Sequence, residues 1–256
     1  MRAAVDDLGL VAGRARDGQA RARGAGRDRL GSRLADLDDP RGGGGGGGGA
    51  ASARIVEGGQ APTEATPTCP DSPCLAVSRT TGYQAKVVDR RDHYVIPADG
   101  KIVAFTIKLG APNKRQIKFF EDNFGKASAG LSVIRRGERL YGRIVAASPV
   151  YQLSDYFGQT VQFPLDRALA VEKGNIIGLT IPTWAPVLTN LLEDGSSWRA
   201  SRGLKACDDT DRQTAQTSIG ALTQYRCLYR ARLTYTATLI SNPPPNKPAT
   251  KTTVGG

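Results

Sequence analysis

The segment from Cys227 to Leu239 alternates between apolar and polar residues. One parity holds cysteine, tyrosine, alanine and leucine, whereas the other holds arginine and threonine, with Leu228 as the only exception. Successive side chains of a β-strand point to opposite faces of a sheet. The alternation therefore predicts a long strand that buries one face and exposes the other.

Shorter apolar alternations recur along the chain between turn sequences. They predict about nine or ten strands separated by turns roughly every 8–12 residues, which is the rhythm of sandwiches and jelly rolls. Helical patterns are weak, and only residues 185–193 and 211–221 are compatible with a turn or two of helix. We predict an all-β fold, an antiparallel, jelly-roll-like β-sandwich. Besides the final strand, the predicted strands cover residues 75–78, 93–96, 103–109, 117–119, 131–134, 140–147, 161–165, 169–171 and 177–181.

The two ends of the chain differ from its middle in composition. Residues 1–54 carry ten arginines and seven aspartates, no aromatic residue and an unbroken run of glycines. Such a segment buries too little apolar surface to offset the entropy of ordering it. We therefore expect residues 1–67 to be disordered, residues 68–241 to form the β-sandwich domain, and the Pro/Thr/Gly-rich residues 242–256 to be a disordered tail.

The four cysteines fall into two local pairs, and these indicate the compartment. Cys69 and Cys74 enclose a short turn-like loop, and Cys207 and Cys227 enclose a longer one. A disulfide closing the longer loop would stabilise the fold by about 3 kcal/mol in the chain-entropy model. Locally paired cysteines suggest an oxidising, extracellular or cell-envelope location. A four-cysteine zinc site is the alternative, although the 19-residue gap in the second pair departs from the short spacing of zinc knuckles.

Export normally requires a signal peptide, and none is visible at the N-terminus. Residues 1–11 lack an apolar core of roughly 7–15 residues, and no run approaches the roughly 18 apolar residues of a membrane span. The Arg, Gly, Ala and Asp bias of residues 1–54 is what GC-rich DNA yields when another frame is translated. We hypothesise that this segment is absent from the mature protein; its detection by mass spectrometry of the native protein would refute this.

The chain is strongly basic, with 35 Lys and Arg against 24 Asp and Glu and a formal net charge of +11. A diffuse positive surface attracts anionic partners, and it also serves simply as a solvated face. The basic residues lack the interleaved aromatics of nucleic-acid platforms, so specific nucleic-acid binding is not expected. An anionic or neutral glycan of the cell envelope is the expected partner.

Catalytic motifs are weak throughout the chain. His93 is the single histidine, and it lies in a predicted strand without the sharp G-x-S-x-G turn that presents a nucleophilic serine. A pair of carboxylates at about 5–10 Å supports glycoside cleavage, but every candidate lies in a loop or at a strand edge, where solvated acids are expected. These candidates are Asp155, Asp166, Glu172, Glu193 and Asp194. We expect neither an enzyme nor a cofactor.

One acidic cluster is a weak candidate for a calcium site. Asp208, Asp209 and Asp211 supply hard oxygen ligands of the kind that Ca²⁺ prefers. Their spacing does not match the EF-hand loop, and no glycine follows. A solvated loop after the second disulfide is the alternative, and no other metal site is expected.

Two tryptophans carry the main binding hypothesis. Trp184 lies between two prolines, and Trp198 precedes Arg199. Both are expected at strand ends or in loops, where exposed aromatic rings beside polar groups stack on sugars. Tyr156 is expected to join them, with Tyr151, Asp155 and Gln159 extending the patch. The alternative is that both tryptophans close the ends of the sandwich core.

Three segments carry a resemblance to a known group of proteins. They are VQFPLDRALAVEKGNIIGLTIPTWAP at 161–186, SWRASR at 197–202 and YRCLY at 225–229. Residues 68–241 resemble secreted β-sandwich proteins of unassigned function from high-GC bacteria. The resemblance implies a β-sandwich and brings no catalytic residue with it.

Together these features favour a non-catalytic secreted or cell-envelope protein with a structural or adhesive role. A carbohydrate-binding module that uses exposed tryptophan and tyrosine is the alternative. A hydrolase is the third possibility.

Overall fold

The computed structural model describes residues 52–59, 65–189, 195–207, 209 and 214–243. These residues form fourteen strands and one α-helix, together with short 3-10 turns. In chain order the elements are β1 (Arg54–Gly58), β2 (Val77–Lys86), β3 (Gly100–Lys108), α1 (Lys114–Phe124), β4 (Ser128–Arg136), β5 (Tyr141–Ala147), β6 (Tyr151–Gln152), β7 (Thr160–Val171), β8 (Ile176–Ala185), β9 (Leu188–Thr189), β10 (Ser197–Ala200), β11 (Leu222–Gln224), β12 (Cys227–Tyr229), β13 (Arg232–Leu233) and β14 (Tyr235–Ser241).

The strands form two main antiparallel sheets. The small sheet has the order β1-β14-β3-β7, and the large sheet has the order β11-β5-β4-β8-β2-β10-β12, with β6 beside β4. Four pairs are nested in the chain: β1 with β14, β2 with β8, β3 with β7, and β4 with β5. Successive pairs alternate between the sheets, which is the topology of a jelly roll. The predicted antiparallel β-sandwich is therefore confirmed.

The inner faces of the two sheets share one apolar core. Phe105 and Tyr235 of the small sheet are 0% exposed, and Leu131 and Leu179 of the large sheet are 1% exposed. Each such side chain contributes about 1.5–3 kcal/mol by leaving water. The large sheet packs on this core with its inner face, and its outer face points away from the core.

The alternation from Cys227 to Leu239 correctly predicts one buried face, but the segment is divided among β12, β13 and β14. The opposite face is not wholly exposed, because Thr234 and Thr236 are also buried. The Thr234 hydroxyl donates to the carbonyl of Lys108 at 2.6 Å, and the Thr236 hydroxyl donates to the Glu57 carboxylate. Hydroxyls that donate to such acceptors are buried at little cost.

Helix α1 corrects the predicted strand at 117–119. Asn113 caps the helix by accepting from the backbone N–H of Gln116, whose side chain in turn accepts from the backbone N–H of Asn113. This capping box satisfies two N–H groups that a helix start leaves free. Phe120 points into the core, and Gln116 donates to the carbonyls of Pro70 and Asp71, so the helix covers one end of the sandwich.

Other local predictions also need correction. The segment 1–67 contains strand β1, which is stabilised by pairing with β14 rather than by its own composition. Residues 93–96 form a single bridge, Val95 with Ile176, instead of a strand. The predicted helical turns at 185–193 and 211–221 are absent where the structure describes these segments, and β9 occupies part of the first. Most residues of both predicted disordered ends lie outside the described residues.

Both predicted disulfides are present. The S–S distance is 1.98 Å between Cys69 and Cys74 and 2.07 Å between Cys207 and Cys227, so no thiolate is free to hold zinc. The pairs are consistent with an oxidising extracellular environment. Within the described ranges, no helix has the length and apolar character needed to cross a membrane.

The large sheet is curled. Its two edge strands, β11 and β12, are separated in the chain only by Tyr225 and Arg226. A flat sheet of seven strands would place its edges roughly 29 Å apart, whereas the three peptide units from Gln224 to Cys227 span at most about 11 Å. The sheet must therefore bend until its edges approach each other. Tyr225, which joins the two edges, packs on Tyr83 of β2 at 5.3 Å within an apolar cluster separate from the main core, so the outer face that carries this cluster is the concave one.

Candidate ligand-binding cleft

The two tryptophans are not exposed, which corrects the binding site predicted around them. Trp184 is 0% exposed and stacks on Phe120 with ring centroids 4.6 Å apart, while its indole N–H donates to the carbonyl of Gly125. Trp198 is 1% exposed and stacks on Tyr229 at 4.8 Å. A ring that is fully buried in the core cannot stack on a sugar. Both tryptophans are core residues.

Strand register also separates the two tryptophans. Trp184 pairs with Ser78 of β2 and Trp198 pairs with Gln84 of the same strand. Six residues along a strand correspond to roughly 20 Å. The two rings therefore could not belong to one sugar-binding patch even if they were exposed.

The predicted extension of that patch lies elsewhere in the fold. Tyr156 packs edge-on against Phe163 at 5.4 Å, and Tyr151 packs against the same ring at 4.7 Å. Both tyrosines thus pack on Phe163 of β7 in the small sheet. Asp155 and Gln159 are exposed beside them, and the Gln159 amide donates to the carbonyl of Asp155. These four residues stay apart from Arg199.

Among the described residues, the other predicted sites are not brought together. His93 is half-buried. Asp155, Asp166 and Glu172 are exposed, and Glu172 accepts a hydrogen bond from Arg135 at 3.1 Å. Glu193, Asp194, Asp208 and Asp211 lie outside the described residues.

Asp209, the third member of the predicted calcium cluster, is half-buried. In the portion of the chain that is described, no group of three His, Cys, Asp or Glu side chains is placed to hold a metal ion.

A cleft of about 450 Å³ opens in the concave face of the large sheet. Strands β2, β4, β5, β8 and β10 each contribute to it. Residues 216–226, which we call the strap, include edge strand β11, and Tyr225 at its end closes one side of the cleft. The strap is held by backbone bonds from Gly220 N to Ile144 O at 2.7 Å and from Tyr225 N to Leu140 O at 2.9 Å. The cleft is therefore built on paired strands rather than on free loops.

Three arginines line the cleft. Arg199 lies directly opposite Tyr83 in the register of β10 and β2, and it donates to the carbonyl of Tyr225 at 3.1 Å. Arg136 ends β4, and Arg91 lies in the loop after β2; both are exposed. A guanidinium group offers a planar fork of donors that matches a carboxylate or phosphate. The lining is consequently suited to an anion.

One carboxylate, Asp92, also belongs to the lining. Its carboxylate accepts two hydrogen bonds from Arg90 at 3.4 Å. This hydrogen bond lowers the pKa of Asp92, with smaller contributions from its own backbone and from the charge of Arg90. Asp92 is thus ionised and paired outside the arginine cluster, which leaves the three cleft arginines in excess over acid.

Tyrosines form the floor and one wall. Tyr83 and Tyr225 pack with ring centroids 5.3 Å apart, above a small apolar cluster that includes Ile134, Ile144 and Ile176. Burial raises the pKa of Tyr83, whereas the nearby charges of Arg199 and Arg136 oppose the rise. The cleft therefore combines an apolar floor with a cationic mouth.

The Tyr225 hydroxyl is buried without a hydrogen-bond partner among the described residues, although the ring itself is tightly enclosed. Burial raises the pKa of Tyr225, and the neighbouring Tyr83 contributes to the rise. Gly142 makes the close packing possible, since a Cβ there would lie 2.7 Å from Ile134 Cγ2 and 2.8 Å from the Tyr225 ring. The floor is thus fixed by one glycine and one tyrosine.

Sequence reasoning identified Arg199 but missed its neighbours. Arg91 and Arg136 were counted only as part of the diffuse charge, and Tyr83 and Tyr225 were not singled out. No short-range pattern pointed to these residues, because Tyr225 lies between two short strands and the pairing of β2 with β10 was needed to bring Tyr83 opposite Arg199.

The fold and the cleft define a disulfide-bonded jelly-roll protein with an arginine-lined concave site. No family model, no curated protein and no solved structure matches this chain. The resemblance to secreted proteins of high-GC bacteria stays a prediction.

Proposed function

We propose that this chain is a non-catalytic adhesive module of the cell envelope or the extracellular space, and that its cleft binds an acidic glycan. The observation that supports this most directly is the placement of Arg91, Arg136 and Arg199 around a tyrosine floor. Carboxylated sugars combine an anionic group, which suits the arginines, with a ring that packs on tyrosine. The two disulfides support the extracellular location.

The size and shape of the cleft agree with this ligand class. Its volume of about 450 Å³ falls in the range of small-molecule sites. It opens at the concave face, so that one end of a longer glycan can enter while the rest stays in solvent. The exposed ring of Tyr141, which is 41% accessible and lines the cleft, is available for stacking on a sugar.

The test compares two probes of the same shape. Binding of a tetrasaccharide of galacturonic acid is measured by calorimetry beside its methyl ester, in which each carboxylate is neutralised. We expect the acid form to bind and the ester to bind at least about tenfold more weakly, since a charge-assisted hydrogen bond contributes about 1.5–3 kcal/mol. Affinity for the acid should also fall as salt is raised. Equal binding of the two probes would refute an anionic ligand.

A matched pair of variants locates the site. Arg136→Gln removes a cleft cation that has no hydrogen bond or ion pair within the described residues, and it should weaken binding about tenfold. Arg230→Gln removes an exposed cation outside the cleft and should leave affinity within about twofold. Shortening of the tetrasaccharide during incubation would instead make the protein a hydrolase.

A further inference from the structure

The turn that joins β4 and β5 has an unusual backbone for its sequence. Arg139 and Leu140 both have positive φ, 51° and 65°, and the N–H of Tyr141 closes the turn on the carbonyl of Glu138. Two successive central residues with positive φ characterise the type I′ hairpin turn, which favours Asn-Gly because larger side chains are strained there. Here the two positions hold arginine and leucine.

This strained turn forms an edge of the cleft. Leu140 and Tyr141 both line the cavity, and they are 39% and 41% exposed. The strap fixes the turn, since Tyr225 N donates to the Leu140 carbonyl at 2.9 Å and the Gln224 amide donates to the Arg139 carbonyl at 3.4 Å. Leu140 is thus presented to the cleft by a rigid backbone.

Packing does not explain a leucine at this position. Its side chain remains 39% exposed, so it adds little to the core, whereas glycine would relieve the strain. Strained residues that gain little from the fold concentrate at binding sites. An exposed leucine beside an exposed tyrosine also supplies an apolar surface immediately next to the arginines.

We propose that Leu140 is a specificity-determining residue of the cleft, which packs on the C–H face of a carboxylated sugar ring while the arginines hold its carboxylate. This inference rests on the proposed function and adds to it the residue that selects, among acidic ligands, those that carry a ring with an apolar face. Compact anions without such a ring would meet the arginines but not the leucine.

Two substitutions at one position test the proposal. Leu140→Ala removes the apolar contact and keeps the strained backbone, whereas Leu140→Gly removes both. Each should weaken the galacturonic acid tetrasaccharide about fivefold to tenfold, which corresponds to part of a leucine side chain being covered by the ligand. Only Leu140→Gly should raise the melting temperature, by about 2–4 °C. Leu228→Ala, at an exposed leucine outside the cleft, should leave affinity unchanged.

A second probe, inorganic tripolyphosphate, separates charge from ring recognition. Its affinity, measured by competition, should be the same for wild type and both Leu140 variants. Unchanged tetrasaccharide affinity in Leu140→Ala would overturn the role of Leu140 alone. Failure of the wild type to bind the tetrasaccharide at all would overturn the proposed function, and this inference with it.

Discussion

Removing the Tyr225 hydroxyl should make the protein more stable. The residue is 1% exposed, and its hydroxyl has no hydrogen-bond partner among the described residues. Leaving a buried polar group unpaired costs about 1–3 kcal/mol. Tyr225→Phe keeps the ring and its contact with Tyr83 at 5.3 Å, so that the packing of the floor is retained. We expect a gain of about 1–2 kcal/mol in the free energy of unfolding.

Tyr94→Phe is the matched control, since it makes the same chemical change at a tyrosine whose hydroxyl is bonded. Tyr94 is 2% exposed and donates to the carbonyl of Tyr235 at 2.7 Å. Loss of this hydrogen bond should lower the free energy of unfolding by about 1–2 kcal/mol. The two variants therefore differ in the sign of their effect although both lose one oxygen atom.

The assay is urea unfolding followed by tryptophan fluorescence, supported by calorimetric melting. For a domain of this size, 1 kcal/mol corresponds to about 2–4 °C in melting temperature. The melting temperature should rise by about 2–8 °C in Tyr225→Phe and fall by a similar amount in Tyr94→Phe. A lower unfolding midpoint for Tyr225→Phe would mean that the hydroxyl is bonded in the folded protein, and the argument from its isolation would be wrong.

Three further predictions concern the disulfides, alkaline pH and the cleft floor. Replacing both cysteines of the pair Cys207–Cys227 by serine should lower the free energy of unfolding by about 3 kcal/mol, and replacing the pair Cys69–Cys74 should lower it by about 2 kcal/mol in the chain-entropy model. The difference follows from the sequence separations of 20 and 5. Equal melting temperatures of the two double variants would contradict this. Burial raises the pKa of Tyr83, Tyr225 and Tyr235, and it raises the pKa of Tyr235 well above the ordinary value. The folded state retains protons that the unfolded chain releases near pH 10, so the contribution of these tyrosines to stability should be constant between neutral pH and about pH 10 and fall above it. A series of melts from about pH 8 that stays flat to about pH 11 would be inconsistent with these shifts. Gly142→Ala should lower the free energy of unfolding by about 1–3 kcal/mol, because the added Cβ overpacks the floor. Gly203→Ala is the control and should be neutral, since no atom lies within 4 Å of its added Cβ. Equal unfolding midpoints of the two variants would refute the packing argument.

The fold class was predictable because the strands are half-buried. In β14, Tyr235, Ala237 and Leu239 face the core at every second position, which is the signal that the sequence displays. Strand β1 was not predictable in this way, since Ile55 is 77% exposed and the strand depends on a partner almost 190 residues away. Helix α1 was not predicted, although Asn113 followed by Gln116 at the third helical position is a sequence pattern that indicates a helix start.

Trp184 shows why local sequence misplaced the candidate site. Pro182 suggested that the strand ends before the tryptophan, yet β8 continues to Ala185. The register of β2 and β8 shifts between Ser78 and Thr80, so the ladder is irregular at the position of the proline and does not require a regular hydrogen bond there. Such a bulge depends on the partner strand and cannot be inferred from the proline alone.

The cleft residues were unpredictable for a related reason. Tyr83 and Arg199 face each other only because β10 pairs with β2, and Tyr225 joins them because the curled sheet brings the end of the strap against both residues. None of these relationships is visible in short-range spacing. Arg199 was identified by its neighbour Trp198, which in fact points to the opposite face of the same strand.

The nesting of strand pairs determines the order in which the domain can fold. The outermost pair joins Arg54 to Ser241, so that closing it brings together the two ends of the domain. Strand β14 lies between β1 and β3, and the small sheet therefore has no continuous set of partners until residues 235–241 have been synthesised. Contacts of such long range make folding slow, typically on a scale of milliseconds to seconds. The nascent chain consequently stays without its complete small sheet until nearly the whole domain has left the ribosome.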